Sequence, residues 1–63
     1  MGSKRLDVKR RQALRRSGKH READEIRNRL INKWGVGEVS DVDGGTILIS
    51  KYGFTRDFYP EEE

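Results

Sequence analysis

The side chains of this sequence best placed to do chemistry are cations. Arg10, Arg11, Arg15, Arg16, Lys19 and Arg21 crowd one short stretch, with Lys9 just before them. Lys and Arg neutralise phosphates and release their counterions, which makes the binding salt-dependent. Arg adds bidentate hydrogen bonds to phosphate and stacks on bases. Candidates for catalysis are poor by comparison. His20 is the single histidine, and no nucleophile neighbours it. Asp41 and Asp43 could pair for acid–base work, but Asp at a hairpin end is ordinary turn chemistry. Gly35-Val36-Gly37 and Gly44-Gly45 read as turn glycines, and no phosphate loop, dinucleotide fingerprint or metal-ligand spacing is present. Without cysteine there is neither a disulfide framework nor a thiolate metal site. The expectation is a protein that is not an enzyme and uses no cofactor or metal.

The cations are unevenly spread. Residues 1–33 hold twelve Lys/Arg against four acids, a formal +8, and residues 34–63 hold two against seven, a formal −5. Such polarity suggests a basic face for a polyanion. It equally suits two halves of one small domain that attract each other.

These side chains need a scaffold, and 63 residues allow one domain. Residues 5–17 are rich in helix formers, with Leu6, Ala13 and Leu14 on one sparse apolar stripe. Like charges at i, i+4, such as Arg11 and Arg15, weaken this helix in isolation. Ser17-Gly18 is a stop signal. Residues 20–33 form a second helix, with Ala23, Ile26, Leu30 and Trp34 in register along one face, and Gly35 ends it. Residues 36–50 read as a β-hairpin turning at Asp43-Gly44, with Gly37 marking a bulge. The expected core is Ile26, Leu30, Trp34, Ile47 and Ile49. Residues 51–59 carry Tyr52, Phe54, Phe58 and Tyr59, either as a third strand or as a wrapping segment. These aromatics could stack on bases or meet a partner protein. In so small a fold, closing the core is the expected use. The fold class is therefore α+β: a two-helix hairpin packed on a small antiparallel β-hairpin or sheet. Residues 1–4 are expected to be a flexible N-terminus, 5–59 the domain, and 60–63 a disordered acidic tail.

The stretch from Arg10 to Thr46 resembles the C-terminal tail domain of bacterial cysteinyl-tRNA synthetases. Ala13, Ala23-Asp24, Ile26-Arg27, Leu30, Gly35, Asp41 and Gly45-Thr46 carry the resemblance. Ile47 and Leu48 stand where that family often has Trp, and the spacing from Gly35 to Gly45 is slightly longer. In the family this domain contacts the tRNA anticodon region. The resemblance implies a small α+β module with RNA contacts from Arg27 and Asp41, and it implies no aminoacylation.

The functional expectation is a non-catalytic nucleic-acid-binding module, for RNA in preference to DNA. Its site would comprise Lys9, Arg10, Arg11, Arg15, Arg16, Lys19, Arg21, Arg27 and Asp41. The rival is a protein-interaction module, a small regulator (phage-encoded in one version) docking on a larger partner, either with its basic helix against an acidic surface of that partner or through Tyr52, Phe54, Phe58 and Tyr59. A third reading is a winged-helix-like DNA binder, with the second helix in the major groove and the hairpin as the wing. Glu22, Asp24 and Glu25 at the leading end of that helix work against it. The apolar run Ile47-Leu48-Ile49 is too short to span a bilayer, and no apolar segment follows Met1-Gly2-Ser3-Lys4-Arg5. A cytoplasmic monomer with no membrane association and no small-molecule substrate is expected.

Overall fold

The structure is a computed structural model that describes residues 3–61. Met1, Gly2, Glu62 and Glu63, part of the expected flexible ends, lie outside the described residues. Helix α1 (Lys4–Arg16) is followed by α2 (His20–Lys33) and by strands β1 (Val36–Val42), β2 (Gly45–Ser50) and β3 (Arg56–Pro60). The strands form an antiparallel sheet in the order β1-β2-β3, and the helical hairpin packs on one face of it. No helix among the described residues is long and apolar enough to cross a membrane.

Local chemistry explains the boundaries. The Ser3 hydroxyl accepts from the Leu6 N–H at 3.1 Å, so α1 starts one residue earlier than its composition suggests. Its far end closes when Gly18 takes a φ of 78° and the Lys19 N–H reaches the Leu14 carbonyl at 2.9 Å. Between β1 and β2 the register pairs Val42 with Gly45, leaving Asp43-Gly44 as the turn. Gly37 is the expected bulge: the register slips between Val36 and Glu38. A Cβ on Gly37 would stand 2.8 Å from Lys51 Cα and 2.9 Å from the Ser50 carbonyl oxygen, so the main chain itself requires glycine there. Residues 56–60 resolve the open reading of the last segment as a third strand. Pro60 ends that strand opposite Gly45, as an edge strand permits. Glu61 follows it in order, its N–H donating to the Gly44 carbonyl at 2.8 Å.

The core consists of Val8, Ile26, Leu30, Val36 and Leu48, with Leu14, Trp34, Val39 and Tyr59 packed around it. Ile26 and Leu30 were expected here, and Trp34 borders it. Ile47 and Ile49 were also expected inside and are not: β2 turns the opposite face to the helices, burying Thr46 and Leu48. An Ile-Leu-Ile run is apolar on both faces, so alternation cannot choose between them. The choice is made by Thr46, which is held by polar partners on the helix side.

Helix α1 also differs from its expected stripe. Leu6 and Ala13 are exposed, and the buried face is Asp7, Val8, Arg11 and Gln12. Its contacts explain why a polar face turns inward. Gln12 Nε2 donates to Thr46 Oγ1 and to the Tyr59 carbonyl, each at 3.0 Å. The Asp7 carboxylate accepts from Trp34 Nε1 at 3.0 Å and from Arg29 Nη1 at 3.2 Å. Apart from Val8 and the half-buried Leu14, polar groups dock this helix.

Candidate nucleic-acid interface

Arg11 is the expected binding residue most changed by the fold. Its side chain is 4% exposed, and Nη1 and Nη2 each donate to an Asp41 carboxylate oxygen at 2.8 Å. Two parallel bonds of this kind are the strongest arrangement for an Arg–carboxylate pair. Asp41 also accepts from Thr46 Oγ1 at 3.3 Å and faces Arg15 Nε at 3.5 Å. The hydrogen bond from Arg11 holds the Asp41 carboxyl below its ordinary value. Desolvation opposes the shift, and the charges of Arg11 and Arg15 add to it. Arg11 thus leaves the candidate binding surface as a structural partner of Asp41, whose own side chain stays 35% exposed. Two neighbouring atoms inside this network, Arg11 Nε and Gln12 Oε1, are buried and make no hydrogen bond among the described residues.

Further cations of α1 follow the same pattern. Lys4 lies 3.7 Å from Asp57, and Arg16 lies 3.9 Å from Glu61. Lys9 donates from Nζ to the Pro60 carbonyl. The basic helix and the acidic half of the chain therefore attract each other across the helix–sheet interface. Each of these ion pairs has a partly exposed partner, so each contributes little beyond about 1 kcal/mol. What they do is settle which way the side chains point.

The remaining candidates keep their charge outward. Arg10, Lys19, Arg21 and Arg27 are exposed and have no ion-pair partner among the described residues. Arg10 lies on α1, Lys19 in the connection between the helices, Arg21 in the first turn of α2 and Arg27 further along α2. Arg15 and Arg16 are exposed with loose internal partners. Glu22, Asp24 and Glu25 are exposed in the leading turns of α2, where they would face phosphate if that end entered a groove.

The aromatics of residues 51–59 divide. Tyr59 is half-buried against the core. Tyr52 and Phe54 are 76% and 87% exposed, and Phe58 is 53% exposed, so three of the four do not close the core as expected. The reason lies in the β2–β3 turn. Ser50 Oγ accepts from the N–H groups of Phe54 and Thr55, each at 3.1 Å, and Gly53 adopts a φ of 78°. That turn is stabilised by its own backbone and leaves Tyr52 and Phe54 outside.

Two features escaped sequence reasoning. Asp7, not singled out by its sequence, is buried and accepts from Arg29 of α2 and from Trp34 at the C-cap of the same helix. Gln12 carried no signal at all. A cleft of about 460 Å³, lined by Ile31, Asn32, Gly35, Val36, Gly37 and Lys51, contains one titratable side chain and so no acid–base pair. Among the described residues no group of three or more His, Cys, Asp or Glu side chains could hold a metal ion. Comparison with known proteins finds no matching family model, curated sequence or solved structure.

Proposed function

We propose that this protein is a non-catalytic nucleic-acid-binding module that grips phosphates with Arg10, Lys19, Arg21 and Arg27, assisted at the edge by Arg15 and Arg16. One observation carries the reading. Asp41, Asp57 and Glu61 engage Lys4, Arg11, Arg15 and Arg16, while Arg10, Lys19, Arg21 and Arg27 of the two helices and their connection are exposed with no ion-pair partner among the described residues. The preference for RNA rests on the tail-domain resemblance.

Four phosphate contacts give log K a slope against log salt of about −2.8 to −3.6. Affinity for a fluorescein-labelled RNA hairpin should then fall roughly 50- to 150-fold between 50 and 200 mM salt. The variant R10E/K19E/R21E/R27E should lose binding while keeping its thermal transition. Retained affinity and an unchanged salt slope in that folded variant would overturn the proposal. Arg11 is unsuitable for this test, because its replacement acts on stability.

The second reading is protein docking, favoured by the exposure of Tyr52 and Phe54 on a turn pinned by Ser50. It predicts association that survives about 0.5 M salt, where phosphate contacts fail.

A further inference from the structure

The face of the sheet turned away from the helices has no partner in the fold. The strand registers place three rows of side chains on it: Glu38–Ile49–Arg56, Ser40–Ile47–Phe58 and Val42–Gly45–Pro60. Ile47 and Ile49 are half-buried, and Val42 and Phe58 are exposed. The Phe58 ring lies across Gly45, where an added Cβ would approach it to 2.8 Å. This is an apolar surface with a single acid at one edge and a single base at the other. Neither Glu38 nor Arg56 has an ion-pair partner among the described residues.

We infer that a second copy of this chain covers this face, forming a two-fold dimer with sheet packed on sheet. A two-fold axis running along β2 between the sheets exchanges the β1 and β3 edges. It sets Glu38 of each copy against Arg56 of the other. Ile49 then meets Ile49, Ile47 meets Ile47, and bulky Phe58 covers small Ser40. The surface is thus complementary to itself in charge and in size, as an isologous interface requires. The two basic helical layers point away from each other in this arrangement, so their repulsion is small. Aligned sheet packing is the common geometry for such faces.

The patch is small. Three strands about 4.8 Å apart, each presenting about five residues of length, bury less than the roughly 800 Å² per partner of a standard interface. The dimer is accordingly weak and half-formed at concentrations on the order of 0.1 mM. This replaces the monomer expected from sequence, and it stands independently of nucleic-acid binding.

Charge swapping tests it. Sedimentation velocity of the full chain is followed from about 10 µM to about 1 mM, a range bracketing that affinity. Circular dichroism confirms that each variant is folded. The wild type should shift from monomer to dimer. E38R and R56E should each weaken dimerisation at least tenfold, and E38R/R56E should return it to within about threefold of wild type. A wild type that stays monomeric throughout overturns the inference. So does a dimer indifferent to the single reversals, or one that the double swap fails to restore.

Discussion

Removing either partner of the Arg11–Asp41 pair should have unequal costs. Asp41→Asn removes the negative charge and leaves a guanidinium that is 4% exposed beside a neutral amide. Breaking a buried pair this way costs about 3–5 kcal/mol, and the access of water to Asp41, 35% exposed, brings the expectation down to about 2–3 kcal/mol. Arg11→Met keeps the buried stem and leaves a carboxylate that water reaches. Asp41 also retains Arg15 at 3.5 Å and the Thr46 hydroxyl. That loss is about 1 kcal/mol. A domain of this size has a total stability of about 3–9 kcal/mol, so the difference is measurable. Thermal melts by circular dichroism should show Tm falling by about 10–20 °C for Asp41→Asn and about 5 °C for Arg11→Met. The double variant should resemble Arg11→Met, because Asp41→Asn no longer strands a buried charge. Equal losses for the two single variants, or a larger loss for Arg11→Met, would refute the burial argument. Strict additivity in the double variant would refute the coupling.

Two other outcomes follow from the same geometry. Asp41 has a lowered folded pKa, so its contribution to stability is present above its unfolded value and is lost as pH falls through the folded one. The midpoint in urea should therefore decline below about pH 4, and Asp41→Asn should flatten that decline. Gly37→Ala should cost about 1–3 kcal/mol in urea denaturation, because the added methyl meets main-chain atoms of Ser50 and Lys51 that cannot rotate away. Wild-type stability in that variant would show that the β1–β2 bulge is adjustable.

The elements were legible because their signals are local. Helix formers, Gly18 and Gly35, the Asp43-Gly44 turn and the bulge glycine each act within a few residues. The facing of those elements was not local. Ile47, Leu48 and Ile49 offer an apolar side chain on both faces, and the parity was decided by Thr46, whose partners lie on α1 and β1. Helix α1 misled for a related reason: its buried face is satisfied by distant groups that hydropathy does not register. The candidate site inherited the same weakness. Counting cations found a basic segment, and only tertiary pairing distinguished Arg11, committed to Asp41, from Arg10 on the outer side of the same helix. Tyr59 packs against the core, whereas Tyr52 and Phe54 stay outside it because four local hydrogen bonds of the β2–β3 turn suffice to hold that turn without burying them.

The most direct test of phosphate binding is an NMR titration of ¹⁵N-labelled protein with a short RNA hairpin and, separately, a DNA duplex at low and moderate salt. Shifts concentrated on Arg10, Lys19, Arg21 and Arg27 that fade as salt rises, and that are larger with RNA, are the predicted result. An absence of shifts with either ligand at low salt, or shifts confined to Tyr52, Phe54 and Phe58, would contradict it.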